Sequence, residues 1–100
     1  MKSKEYKPGL LKRLGDSEYA AGYLADVLEH ESQDAFLIAV RNVLEARQAN
    51  ITKFSRQSGV SRQAIYHALS KRGNPRLSTL TQILKAVGLR ITFGTEKKVA

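Results

Sequence analysis

The sequence contains no cysteine. That absence removes a disulfide framework, a thiolate metal site and a cysteine nucleophile together, and it agrees with a reducing compartment. Proline occurs only twice in 100 residues, and hydrophobic residues make up 42% against 26% charged. This balance fits a core-forming chain rather than a disordered tail. No run approaches the ~18 apolar residues of a membrane span, so none is expected. The charged start Met1-Lys2-Ser3-Lys4-Glu5-Tyr6-Lys7-Pro8 does not read as a secretory signal, and a cytoplasmic location is expected. The length suits one compact domain and is too short for a TIM barrel or an ordinary doubly wound nucleotide fold. Phosphate-loop, HExxH and GxSxG patterns are missing. The only histidines are His30 and His67, far apart in the chain, and His30 points away from its neighbours Glu29 and Glu31 on a helix. No catalytic or metal constellation follows. The expectation is a protein that is not an enzyme and carries no cofactor.

Carboxylates are absent from Ile51 through Thr95, although that stretch holds Lys53, Arg56, Arg62, Lys71, Arg72, Arg76, Lys85 and Arg90. Residues 1–50 carry seven Lys/Arg and eight Asp/Glu, whereas residues 51–100 carry ten against one, so the +8 of the chain lies wholly in its second half. A basic surface without internal counter-charge is most simply compensated by a polyanion. Asp16, Glu18, Asp26, Glu29, Glu31 and Asp34, with no Lys or Arg among them, make an opposite, acidic pole.

Five helices and one strand are expected. Ala20, Leu24, Val27 and Leu28 share one face of a helix capped by Asp16 or Ser17. Phe36, Leu37, Val40, Val43 and Leu44 share the face of a second, with Ser32 as its cap and Asn50 as a left-handed stop after it. Thr52 suits the cap of a short helix that Gly59 ends, Val60 plugs the corner, and Ser61 caps a helix from Arg62 to about Lys71. In that helix Ile65, Ala68 and Leu69 face inward, leaving Arg62, Gln63, Tyr66, His67 and Ser70 outward. After Gly73-Asn74-Pro75, Ser78 caps a helix carrying Leu80, Ile83, Leu84 and Val87 until Gly88 stops it. Leu89-Arg90-Ile91-Thr92-Phe93 then alternates as a strand whose open edge needs a partner. The expected division is a basic arm (1–15), a helical domain (16–88) and a strand with tail (89–100). Tyr6, Tyr19 and Tyr23 read as packing at the edge of the core.

The run from Thr52 to Leu69 has the spacing of a helix-turn-helix. Small Ser55 permits a close crossing, Gly59 makes the turn, and Ile65 packs the second helix on the first. Here the sequence resembles the helix-turn-helix proteins of the lambda repressor and Cro type, and among them the HigA-like addiction-module antidotes, or prophage DNA-binding antitoxins. The resemblance runs from about Asp16 to Arg90. It is carried by Ser61-Arg62-Gln63-Ala64-Ile65-Tyr66-His67-Ala68-Leu69-Ser70, by Gly73-Asn74-Pro75, and by Leu77-Ser78-Thr79-Leu80 running into Ala86-Val87-Gly88-Leu89. The family's usual alanine in the first helix of the motif is Ser55 here, and its frequent preceding glycine is Asn50.

The resemblance implies an all-α, lambda-repressor-like domain whose recognition helix starts at Ser61. Arg62 is then placed for guanine O6/N7 and Gln63 for adenine N6/N7. Tyr66 is placed for a thymine methyl or a phosphate, and His67 for the DNA backbone. Thr52 and Lys53 fall at a helix start suited to phosphates, and Lys71, Arg72 and Arg76 supply sequence-blind attraction. Cations in a last helical turn are also favourable with no ligand at all, which is the plain reading of Lys71 and Arg72. The implied function is that of a repressor binding double-stranded operator DNA as a homodimer, and of an antitoxin that neutralises a small basic protein toxin and represses its own operon. A prophage-type regulator without a toxin is the alternative, and an RNA-binding or purely protein-binding module is a further rival.

Overall fold

In a computed structural model, which describes residues 2–70 and 74–96 with side chains from residue 7 onward, six helices follow one another. They are α1 (Lys2–Arg13), α2 (Ser17–His30), α3 (Gln33–Ala46), α4 (Gln48–Ser58), α5 (Arg62–Ala68) and α6 (Leu77–Ala86). The centre of the fold is α3. Its first amides are met by Ser32, whose hydroxyl accepts the Ala35 amide at 3.1 Å. Phe36, Leu37, Ala39, Val40, Val43 and Leu44 then point into the core along one side, and α1, α2 and α4 all pack against α3. Ala20 and Leu24 of α2, Ile51 of α4, Ile65 and Leu69 of the α5 region, and Ile83, Leu84 and Val87 of the α6 region complete one continuous core. Among the described residues all the buried ones are apolar, and the Tyr66 hydroxyl at the edge of the core is a buried polar atom.

Several expectations are corrected. The segment read as a basic arm is helical, because Leu10 and Leu14, one turn apart, are buried beneath it, and this packing outweighs the interior Pro8. With it the helices among the described residues number six. Asn50 is no stop. It lies inside α4, which starts four residues earlier than Thr52, and its side-chain amide donates to the Ala86 carbonyl at 3.2 Å, satisfying the end of α6. The break between α3 and α4 is made instead by Arg47 (φ −123°, ψ 49°). Its guanidinium donates to the carbonyls of Leu14 and Gly15 and to the Ser17 hydroxyl at 3.4, 2.9 and 2.9 Å, tying this corner to the one between α1 and α2. Arg76, not Ser78, stands at the start of α6.

No strand occurs among the described residues. Residues 89–93 have no ladder to join, and their first residue is used to close α6. The Gly88 amide (φ +83°) donates to the Lys85 carbonyl at 3.0 Å and the Leu89 amide to that of Leu84 at 2.9 Å. This is the pair of hydrogen bonds that ends a helix at a left-handed glycine. Leu89 packs on the core while Ile91 and Phe93 are exposed. Of the residues expected inward on α2, Leu28 is not, being 62% exposed. At the end of that helix the ring of His30 lies 3.0 Å from the Asp26 carbonyl and 3.1 Å from its carboxylate. The carbonyl first, and then the charges of Asp26 and Glu29, hold this imidazole above the ordinary histidine value.

Candidate nucleic-acid interface

Helices α4 and α5 are joined by Gly59-Val60-Ser61, and polar stitches set their angle. Gly59 adopts φ +79°. The Ser55 hydroxyl donates to the Val60 carbonyl at 2.6 Å, and the Val60 amide donates to the Ser58 hydroxyl at 3.2 Å. Val60 itself stays 42% exposed. The corner is therefore sealed by serines and not by the valine expected there. Ser61 accepts the Ala64 amide at 3.0 Å and so starts α5 as its spacing predicts. A helix of seven residues is marginal alone, and buried Ile65 and Leu69 fasten it to the body. Gly59→Ala meets no atom within 4 Å, so its cost is purely conformational. A thermal melt is expected to show a loss of about 1–2 kcal/mol, the penalty for a side chain in the left-handed region.

The outer face of α5 presents Arg62, Gln63 and His67 to solvent, and Lys53 and Arg56 are exposed on α4. Two ion pairs exist among the described residues, Lys7–Glu45 and His30–Asp26, and neither touches this face. Arg62 donates to the side-chain oxygen of Gln48 in the first turn of α4. Gln48 lies outside the sequence pattern of the motif, whose first helix is expected to begin at Thr52. Its signal is only its position one residue after the Arg47 break. Thr52 is half-buried in the second turn of α4, away from the helix start, whereas Lys53 beside it is exposed. Arg76 is exposed at the start of α6, and Ser61 is exposed but engaged as a cap.

Tyr66 departs from the expected outward position. Its ring packs against the core, and its buried hydroxyl finds no hydrogen-bond partner among the described residues. A residue at the edge of a short helix's apolar stripe buries a large ring more favourably than it exposes one. The helix α5 ends at Ala68. Lys71 and Arg72 lie outside the described residues. The chemistry available on this face among the described residues is cationic and hydrogen-bonding. No group of three or more potential metal ligands comes together among the described residues, and no helix among them is long and apolar enough to cross a membrane.

A small all-helical chain with a carboxylate-free helical pair held on one side is the class these features define. Residues 7–95 match the model of the family described as "Probable addiction module antidote protein", and the chain belongs to that family. It is also similar to an uncharacterized protein of Haemophilus influenzae, with 34% identity over 68 residues, covering 68% of each chain. No solved structure matches. The family is one of antidotes, so its membership supports an antitoxin role and implies a toxin partner.

Proposed function

We propose that this chain is a non-enzymatic cytoplasmic antitoxin that binds its own operator DNA through α4 and α5 and neutralises a small protein toxin. In this reading α4 and α5 form a helix-turn-helix of the lambda repressor and Cro type, in the manner of the HigA-like antidotes. The observation that carries the DNA half is the exposed outer side of α5, on which Arg62 is held by Gln48 and no carboxylate offers a competing ion pair. A major groove about 12 Å wide accepts one such helix. Arg62 and Gln63 read base edges. Lys53 and Arg76, with Lys71 and Arg72, draw the phosphates. Ser61 caps the reading helix, His67 reaches the backbone, and Thr52 and Tyr66 serve chiefly as packing beneath the contact face. A single reading helix touches too few base pairs to compete with a genome, so the active form is a homodimer on a two-fold operator.

The test is a gel shift of the promoter fragment upstream of this gene against unrelated DNA of equal length, at a stated salt concentration. The expected result is binding of the promoter at least about a thousandfold tighter. Equal affinity for both fragments would contradict operator recognition. In parallel, expression of the adjoining reading frame is expected to arrest growth and this chain to relieve the arrest.

A further inference from the structure

Leu28 is a large apolar side chain left in water, and it does not stand alone. With Ala21 and Ala25 it forms a stripe along α2 at helical spacing. Opposite runs the extended segment through Ile91, and Phe36 and Leu84 line the groove between these walls, which encloses about 550 Å³. Small Ala21 and Ala25 leave room for a ridge of side chains to enter. No residue of α4 or α5 lines the groove, so an occupant leaves the proposed DNA face free.

The charge around the groove narrows the occupant. The α2 wall is acidic: Glu18 lines the groove itself, and Asp16, Asp26, Glu29 and Glu31 are exposed elsewhere on or beside that helix with no Lys or Arg among them, Asp26 being paired with His30, while Arg90 is the basic residue of the far wall. Nucleic acid is repelled by such a rim. A second copy pairing symmetrically across α2 sets one acidic helix against another, and like charges brought together cost affinity. An amphipathic helix with an apolar ridge and basic flanks satisfies both the apolar floor and the acidic wall. We propose that this groove receives such a helix from the toxin, a claim that rests on the antitoxin reading above and gives it a surface.

The test measures affinity between this full-length chain and the product of the adjoining reading frame by titration calorimetry. Leu28→Arg and Ala25→Arg change exposed positions, and circular dichroism checks that both variants remain folded. Each is expected to weaken toxin binding by about tenfold or more, with promoter binding unchanged, and added salt is expected to weaken wild-type toxin binding. Arg62→Ala is expected to show the reverse, with toxin affinity intact. Wild-type toxin affinity in both folded groove variants overturns the proposal while leaving the antitoxin reading standing. So does loss of dimer by either variant in sedimentation, which makes the groove a contact between copies. If the wild-type chain binds no product of that frame, the antitoxin reading fails and the proposal falls with it.

Discussion

Leu44→Ala is expected to lower the free energy of unfolding by about 2–5 kcal/mol, the cost of removing a fully buried leucine and leaving a cavity. Leu44 is completely inaccessible on the inner side of α3, the helix that α1, α2 and α4 share. Few directions remain from which the structure can collapse into the space. For a domain of this size each kcal/mol moves the melting temperature by about 4–8 °C, so the variant is expected to melt well below the wild type and to lose a large part of a total stability near 5–15 kcal/mol. Leu28→Ala is the internal contrast. The same side chain at 62% exposure is expected to change stability by no more than about 0.5 kcal/mol. A denaturant titration of both variants decides the matter, and a Leu44→Ala loss below about 1 kcal/mol would show that α3 is not the hub of the core. Loss of DNA binding in Leu44→Ala is expected only at temperatures where the variant unfolds, because Leu44 lies wholly in the core and not on the contact face.

What could be read from the sequence was whatever depends on neighbours three or four residues away. The buried side of α3 follows from the spacing of Phe36, Leu37, Val40, Val43 and Leu44, and the turn before α5 follows from Gly59 and the capping Ser61. The separation of charge needs no structure at all. What could not be read depends on partners far along the chain. Arg47 breaks the helix at a point with no local signal, because its hydrogen-bond partners are 30 to 33 residues away. Residues 89–93 have the alternation of a strand, but alternation supplies no second strand, and Leu89 is claimed by the end of α6. The lysines and proline of α1 conceal the Leu10–Leu14 repeat, which becomes informative only once α3 stands beneath it. On the candidate face, Gln63 was legible because it opposes Ile65 across α5, and Arg62 because it directly follows the capping Ser61. The placement of Tyr66 was not legible, because an aromatic residue at the boundary of a stripe settles on either side according to the space beneath.

Arg62→Ala is expected to abolish most of the preference for the promoter over unrelated DNA while leaving nonspecific binding largely intact. A guanidinium paired with guanine O6/N7 contributes about 1–3 kcal/mol of discrimination, so promoter affinity is expected to fall by about tenfold to a hundredfold. The bond from Arg62 to Gln48 sharpens this expectation. An unrestrained arginine loses rotameric freedom on binding, whereas one already bonded to a neighbour has lost part of it beforehand. Gln48→Ala is therefore expected to weaken promoter binding by less than Arg62→Ala, and the double variant to be no worse than Arg62→Ala alone. That non-additive pattern marks residues acting as one unit. Lys53→Ala is expected to behave differently, weakening every sequence alike and reducing the slope of log affinity against log salt by about 1, as loss of one phosphate contact does. Equal weakening of all sequences by Arg62→Ala, or strict additivity with Gln48→Ala, would remove Arg62 from base reading and leave the face as a general cationic surface.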